Sequence, residues 1–215
     1  MYQPRHFAPP GADAMHGLMR SHPLATLVVH AGGGLLANHI PLLWQPAGGP
    51  SGLLRGHVAR ANPLWRELGQ DGLPALAVFQ GPQAYVSPSW YPSKQQGGKV
   101  VPTWNYAVVH AHGRLRAVDD AAWLRGLVGA LTAEHESGRQ QPWSVEDAPP
   151  DYLDAMVAAI VGIEMTVERL EGKWKASQNQ PQANRLGVQQ GLGEDPATRP
   201  MAELVRQAAR RKQEE

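Results

Sequence analysis

Four short segments of this chain concentrate polar and aromatic side chains next to glycine and proline. Amide, imidazole and guanidinium groups recur in these segments, and proline restricts the backbone that presents them. Each segment therefore combines hydrogen-bond donors with a rigidified backbone, and we treat all four as candidate functional segments. They are residues 37–41 (ANHIP), 56–63 (GHVARANP), 85–94 (YVSPSWYPSK) and 101–106 (VPTWNY).

Familiar catalytic signatures are absent from the sequence. It contains neither G-x-G-x-x-G after a predicted strand nor G-x-x-x-x-G-K-[ST], which argues against Rossmann and P-loop mechanisms. The lack of cysteine excludes disulfides, thiolate catalysis and cysteine zinc sites, and no G-x-S-x-G elbow supports a hydrolase. His110 and His112 share one face of a predicted strand, but the residues that follow supply no further ligands. We interpret this pair as a surface or interface feature and predict no metal site.

The composition indicates one loop-rich domain. A chain of 215 residues with 42% hydrophobic residues can bury a full core, and its 23 glycines and 19 prolines indicate many turns. We predict a single domain over residues 1–193 and an amphipathic, basic helix over 194–215. The net charge of +1 does not by itself indicate nucleic acid. Because the sequence lacks cysteine, an early apolar leader and a run of the ~20 apolar residues that a membrane span needs, we expect a cytoplasmic protein without membrane contact.

Hydrophobic periodicity and turn signals predict a mainly β, α+β fold with at least six strands. Strands are expected at 24–31, 35–44, 53–58, 75–80, 84–87 and 163–170, with a pair over 101–118 hinged near Gly113. Helices are expected at 13–20, at 62–68, from Asp119 or Asp120 to 136, and at 153–161, where Gly162 ends the last. Residues 173–193 show no core period, and a C-terminal helix carries Met201, Leu204, Val205 and Ala208.

The four segments, together with Lys173–Gln180 (KWKASQNQ), resemble the PaiB family of FMN-binding negative transcriptional regulators. The resemblance extends from residue 1 to about Leu192. It implies an FMN-binding split β-barrel with flanking helices, related to pyridoxamine-phosphate oxidases and flavin reductases. It further implies a homodimer that holds FMN at the subunit interface. It does not by itself establish a reaction.

FMN carries a phosphate, which should attract a guanidinium and clustered N–H donors. Arg60, followed by the helix start at Asn62, is the predicted phosphate ligand. In related split barrels the equivalent of residues 54–60 runs beside the cofactor, so Gly56 and His57 are further candidates. The structural alternative is that Asn62 only caps a helix and that Arg60 is a solvated charge in a turn.

The isoalloxazine ring of FMN needs aromatic or aliphatic walls and a few oriented hydrogen bonds. We expect these from one strand and from segments that the partner subunit can supply. Core packing is the alternative for both tryptophans, and Trp90, in a proline-rich loop, is the one we favour for the site. The candidates are Asn38, His39, Ile40, Trp90, Trp104 and Asn105, with Lys173 and Ser177 as secondary candidates from the family segment.

Several functions remain open at this level. The family implies transcriptional repression and DNA as a partner, yet the sequence shows no helix-turn-helix or zinc finger, and its basic cluster is confined to residues 206–212. An FMN-dependent oxidoreductase or flavin reductase using NAD(P)H is one alternative. A haem-binding split barrel and a flavin-responsive sensor are the others. No general acid or base can be named.

Overall fold

The structure, a computed structural model, describes residues 1–47 and 51–214. Its helices and strands are, in chain order, α1 (Ala12–Ser21), β1 (Leu24–Ala31), β2 (Gly34–Pro41), β3 (Leu43–Gln45), β4 (Leu53–Ala59), α2 (Leu64–Glu67), β5 (Leu73–Val86), β6 (Thr103–Val118), α3 (Ala121–Glu136), α4 (Pro150–Ala158), β7 (Ile160–Lys175), α5 (Gln182–Glu194) and α6 (Arg199–Glu214). Short 3-10 turns lie at Arg5–Phe7, Pro88–Trp90, Pro92–Gln96 and Val145–Asp147.

The strands form a seven-stranded sheet in the order β2-β1-β5-β6-β7-β4-β3. Strand β1 pairs antiparallel with β2 and β5, and β4 pairs antiparallel with β3 and β7. The predicted class, α+β and mainly β with flanking helices, is confirmed. No helix within the described residues is long and apolar enough to span a bilayer.

The hairpin between β1 and β2 forms where the glycine run predicts it. Ala31 pairs with Gly34, so Gly32 and Gly33 are the two loop residues. Both have positive φ, 59° and 82°. A two-residue turn of this kind requires positive φ at both positions, and glycine adopts that conformation without steric cost.

Two predicted pairs of short strands are instead single long strands. β5 runs from Leu73 to Val86 and β6 from Thr103 to Val118, without the hinge expected at Gly113. A Cβ at Gly113 would collide with the carbonyl oxygen of Thr166, with the carbonyl carbon only 2.9 Å away. Gly113 therefore allows a close approach of neighbouring backbone, which a sequence cannot distinguish from a bend.

The helix before β7 also ends earlier than predicted. Its last residue is Ala158, whereas Gly162 lies within β7. A Cβ at Gly162 would meet the Trp123 ring and would lie 2.8 Å from the Val118 carbonyl oxygen. Gly162 thus makes room for an aromatic ring and does not terminate a helix.

The two adjacent aspartates before α3 have different roles. Asp120 is the N-cap, since its Oδ1 accepts a hydrogen bond of 2.7 Å from the Trp123 amide. The helix predicted from Asp119 or Asp120 to 136 is therefore confirmed. Asp119 instead pairs with Arg60.

The chain divides into two compact units. The first comprises Met1–Ser21, Gln80–Val109 and Glu171–Glu215, and the second comprises His22–Phe79 and His110–Leu170. Strands β5, β6 and β7 each contribute residues to both units. The predicted boundary between a 1–193 domain and a 194–215 helix stays a prediction.

The second unit has a core of strand and helix residues. Ala77 and Phe79 of β5, Leu54 of β4, Met165 of β7 and Leu124 of α3 are almost fully buried. From Leu54 to Val58 the residues of β4 alternate between buried and half-buried, whereas β7 is buried continuously from Val161 to Met165 and is therefore covered on both faces.

The first unit has its own apolar core around the C-terminal helices. This core includes Val86 and Tyr91 from the β5 end and Val188, Leu192 and Met201 from α5 and α6. The prediction that residues 173–193 lack a core period is wrong, because α5 buries one face here. The C-terminal helix that carries Met201, Val205 and Ala208 is confirmed, and these residues belong to the same core.

Candidate functional site

Two amide side chains of the second unit contact each other. Asn62 Nδ2 donates a 2.8 Å hydrogen bond to Asn38 Oδ1, which links the start of α2 to β2. His39 is exposed and Ile40 is buried, at 5% exposure, as alternation along β2 dictates. Sequence segments 37–41 and 56–63 are therefore neighbours in the fold.

Gly56 permits the close packing of two segments of the second unit. A Cβ at this position would lie 2.8 Å from Leu42 Cδ2, 2.9 Å from the Pro41 carbonyl oxygen and 3.2 Å from Ile40 Cγ2. The space that a side chain would need at Gly56 is therefore filled by residues of this chain, and the predicted contact of Gly56 with the cofactor stays a prediction.

Arg60 donates hydrogen bonds to several groups of its own chain. Its Nη1 and Nη2 contact the two carboxylate oxygens of Asp119 at 2.9 and 2.6 Å. Nε donates to the Ala158 carbonyl oxygen at 2.7 Å, and Nη2 to that of Ile160 at 3.0 Å. The hydrogen bond with Asp119 raises the pKa of Arg60 and lowers the pKa of Asp119.

The turn after Arg60 is arranged by the Asn62 side chain. Asn62 Oδ1 accepts a 3.0 Å hydrogen bond from the Leu64 amide, and α2 then extends only to Glu67. Trp65 Nε1 also donates to the Arg60 carbonyl oxygen at 3.0 Å. Asn62 thus binds the first backbone amide of α2 although Pro63 occupies the N-cap position, and the predicted phosphate contact of Arg60 and Asn62 stays a prediction.

His57 lies half-buried on β4, paired with Gly162 of β7. Desolvation lowers the pKa of its imidazole below the ordinary value of 6.5. His57 is therefore neutral at pH 7 and can offer one N–H donor and one acceptor nitrogen. Its predicted contact with phosphate or ribityl oxygens stays a prediction.

In the first unit, Trp90 packs against two glycines of α5. A Cβ at Gly191 would meet the Trp90 indole, with Cδ2 at 2.5 Å, and a Cβ at Gly187 would meet the Trp90 backbone, with the carbonyl carbon at 3.1 Å. The indole also contacts the apolar core of this unit. The core-packing alternative therefore describes the observed environment of Trp90.

Trp104 has the opposite environment. Its side chain is 53% exposed and lies edge-to-face with Tyr85, which is 47% exposed, with ring centroids 6.2 Å apart. An adjacent pair of large, exposed aromatic rings is uncommon on a soluble surface and suits contact with another flat ring. Trp104 is thus more exposed than Trp90, the tryptophan that the sequence favoured for the site.

Asn105 and Ser177 form a buried polar pair. Asn105 is fully buried, and its Nδ2 donates a 2.8 Å hydrogen bond to Ser177 Oγ. No partner is found within the described residues for Asn105 Oδ1. Ser177 has a φ of 61°, in the left-handed region that non-glycine residues rarely adopt. Strained backbone of this kind is concentrated at functional sites.

Two lysines of β7 lie in the same unit. Lys173 is 9% exposed, and its Nζ donates to the Tyr2 carbonyl oxygen at 3.2 Å and lies 5.5 Å from the centre of the Tyr106 ring. Lys175 Nζ donates to Thr103 Oγ1. Desolvation lowers the pKa of Lys175, and the nearby Lys173 charge acts in the same direction.

Sequence reasoning did not select four residues that the geometry makes relevant. Tyr85, Thr103 and Lys175 lie inside the segments that carry the resemblance. The contacts that make them relevant, between Tyr85 and Trp104 and between Lys175 and Thr103, are visible only in the fold. Asp119 lies 59 positions from Arg60 in the chain. No local pattern predicts such a long-range pair.

Comparison with known proteins relates these features to a family. Residues 1–169 match the family described as "Putative FMN-binding domain". The chain is 31% identical over 209 residues to protease synthase and sporulation protein PAI 2 of Bacillus subtilis, which covers 95% of this chain and 96% of that one. The resemblance to the PaiB family is therefore confirmed.

Solved structures share the fold at low sequence identity. The flavocytochrome Anf3 of Azotobacter vinelandii superposes with a TM-score of 0.56 at 12% identity, over 80% of this chain and 72% of that chain. The FAD and heme binding protein of Mycobacterium smegmatis gives 0.52 at 18% identity, over 77% and 71%. These similarities confirm the predicted split-barrel fold.

Proposed function

Because the chain belongs to the family described as "Putative FMN-binding domain", we propose that it binds FMN and acts as a flavin-bound regulator of the PaiB type. The observation that carries the flavin part is the match of residues 1–169 to that family. Bound FMN would supply electron and hydride transfer chemistry, and the protein would bind and orient it. The regulatory part rests on the relative from Bacillus subtilis, whose name refers to protease synthesis and sporulation.

The aromatic pair of the first unit supports the flavin proposal. An isoalloxazine ring is flat and largely apolar, so it requires an accessible aromatic or aliphatic wall. Trp104 and Tyr85 offer such a wall, because both rings are about half exposed while held edge-to-face. Trp90 also remains a candidate, because its half-buried side chain packs on α5 and at the same time lines a surface cavity of about 520 Å³ with Pro92 and Lys94.

Asn105 adds a second feature that fits a flavin. The pyrimidine edge of the ring presents one N–H donor between two carbonyl acceptors. Asn105 Oδ1 is a buried acceptor without a partner among the described residues, and leaving such a group unsatisfied costs about 1–3 kcal/mol. A ligand N–H would remove that cost, while Ser177 keeps the amide oriented.

The basic groups of the first unit suit an anionic cofactor. Lys173 and Lys175 are both partly desolvated, and Lys175 has a lowered pKa. A phosphate near them would offset the cost of removing the ammonium groups from water and would accept charge-assisted hydrogen bonds from them. Lys173 and Ser177 are therefore retained as cofactor candidates, and Lys175 joins them.

A visible absorption spectrum of the protein, purified without added cofactor, tests the flavin proposal. We expect a flavin spectrum, or its appearance after FMN is added to colourless protein. A Soret band would assign the site to haem, and failure to retain FMN at all would overturn the proposal. Trp104→Ala is expected to weaken FMN retention while Trp143→Ala, a substitution at another exposed tryptophan, leaves it unchanged.

The regulatory part requires a separate experiment. We expect sequence-dependent DNA binding that weakens steeply with salt, because phosphate contacts release counterions. NAD(P)H oxidation by the FMN-loaded protein, without any specific DNA binding, would favour the oxidoreductase alternative. Both assays use the full chain with and without FMN, so they also show whether flavin occupancy changes either activity.

A further inference from the structure

Arg185 of α5 is a buried cation without a counter-charge. Its side chain is 8% exposed, and neither Nε nor Nη1 has a hydrogen-bond partner within the described residues. The neighbouring Asn184 is also buried but fully engaged, since it accepts a hydrogen bond from the Ser93 amide and donates to Ser93 Oγ and Gln180 Oε1. Most buried polar groups are satisfied, so the orphaned guanidinium requires an explanation.

Arg185 lines a pocket between α5 and α6, in which a ligand could supply the missing hydrogen-bond acceptors. Its volume is about 140 Å³, whereas one water needs only roughly 10–15 Å³ of such space. Its polar lining comes from Arg185, Arg206 and Arg210, with the amides of Gln182 and Gln189. Among the described residues that line it, none carries a carboxylate. The pocket therefore has room for a polyatomic ion and donors on several sides.

The charges around this pocket do not balance. Glu203 pairs with Arg206 at 2.7 Å and also accepts a 2.8 Å hydrogen bond from Gln207. The arginine and glutamine hydrogen bonds lower the pKa of Glu203, so it is a fully ionised partner that is already engaged. The charge of Arg210 also lowers the pKa of Glu203, so the guanidinium groups of Arg185, Arg206 and Arg210 share this one carboxylate and a net charge of +2 remains at the pocket.

We propose that the pocket lined by Arg185, Arg206 and Arg210 binds a phosphate dianion or the phosphoryl group of a small metabolite. The net charge of +2 at the pocket matches a charge of −2, and guanidinium binds phosphate oxygens through paired N–H donors. A monocarboxylate would leave one positive charge unpaired. This site does not rest on the flavin proposal.

Such an anion would stabilise the α5–α6 pair. Both helices pack into the apolar core of the first unit through Val188, Leu192 and Val205. Binding to the folded state alone raises the free energy of unfolding as the free ligand concentration rises above its Kd. The protein would thus respond to phosphate through the stability of its C-terminal helices.

Titration with inorganic phosphate tests the site, with sodium chloride used to keep the ionic strength constant. We expect saturable one-site binding by calorimetry and a matching rise in melting temperature. Arg185→Met should weaken binding at least about tenfold, and Arg210→Gln several-fold. Arg139→Gln changes an exposed arginine that pairs with Glu136, and it should leave phosphate binding unchanged.

Arg185→Met has a second readout that a structural arginine would not give. In phosphate-free buffer the variant should melt at or above the wild-type temperature, because it removes a buried charge that lacks a partner. If Arg185→Met fails to fold, phosphate titration of wild type and of Arg210→Gln still tests the proposal. Wild-type protein that shows no saturable binding would overturn the proposal.

Three further outcomes would also overturn it. Equal effects of phosphate on all variants would indicate a general salt effect. Succinate binding as tightly as phosphate would remove the assignment to phosphate. A change of oligomeric state in Arg185→Met without loss of phosphate affinity would make the orphaned group a subunit contact.

A competition experiment tests whether the pocket is separate from the flavin site. We expect phosphate binding to persist when FMN is saturating, and its loss would overturn the assignment of a separate site.

Discussion

At the scale of single residues, the structure shows why a candidate ligand can have two roles. Arg60 was selected as a phosphate ligand because guanidinium and a helix start adjoin in the sequence. In the fold its guanidinium also joins three segments of the second unit, through Asp119, Ala158 and Ile160. Arg60 is the predicted phosphate ligand, and Lys173 or Lys175 takes that role if Arg60 only supports the turn, so a binding measurement must separate the two roles of Arg60.

Arg60→Ala is expected to weaken FMN binding roughly ten- to a hundredfold and riboflavin binding much less, because riboflavin lacks the phosphate. Fluorescence titration with both ligands measures the ratio. Asp119→Asn is the matched control, because it loosens the same pairing but keeps the guanidinium. Equal losses for both ligands would assign Arg60 to the structure of the turn.

His57 makes stability depend on pH. Desolvation lowers its folded-state pKa below the 6.5 of the unfolded chain, so the unfolded state binds more protons between these two values. The contribution is fully present above pH 6.5 and is lost as the pH falls through the folded pKa. We expect urea unfolding free energies to fall between pH 7.5 and pH 5.

His57→Gln should reduce the dependence of the unfolding free energy on pH, whatever the substitution does to stability at pH 7.5. The pKa of His16 is lowered in the same direction, so His16→Gln serves as a parallel comparison. An unchanged pH slope in the His57 variant would mean that this imidazole is equally protonated in both states.

At the scale of elements, α5 shows how glycine can define a helix surface. Gly187 and Gly191 lie one turn apart and both face Trp90, while Gly193 has no neighbour within 4 Å of its Cβ position. The helix therefore contacts the proline-rich turn at Pro88–Trp90 through a smooth strip without side chains. Its buried face is made partly of glycine, which explains why a search for apolar periodicity did not find it.

Gly191→Ala is expected to destabilise the protein by about 1–3 kcal/mol, because the new methyl group must displace the indole. Gly193→Ala on the same helix should be neutral or stabilise by up to ~1 kcal/mol, since alanine favours helix. Chemical denaturation measures both, with Trp90 fluorescence as a local probe. Similar effects of the two substitutions would contradict the packing.

A deletion is a poor test of whether Lys173–Gln180 contributes to cofactor binding. Truncation after Gly172 would also remove α5 and α6, which supply Val188, Leu192 and Met201 to the core of the first unit. Point substitutions at Lys173, Lys175 and Ser177 are the cleaner test.

At the scale of the whole molecule, we predict a homodimer that binds FMN with residues of both subunits. The exposed Tyr85–Trp104 pair is consistent with a surface that a cofactor or second subunit covers. Sedimentation with and without FMN should give twice the monomer mass of 23.3 kDa. A monomer that retains FMN at full affinity would contradict the shared site.

The sequence by itself determined the mainly β class, the β1–β2 hairpin, the helix that ends at Glu136 and the family. These depend on local patterns: alternation, paired glycines, a capping aspartate and uncommon segments of ten residues or fewer. Tertiary structure alone decided the role of Gly113 and Gly162, the packing of Trp90 on α5, the exposure of Trp104, and the Arg60–Asp119 pair. These outcomes depend on which distant segment approaches a residue, and the identity of a residue does not encode its neighbours in space.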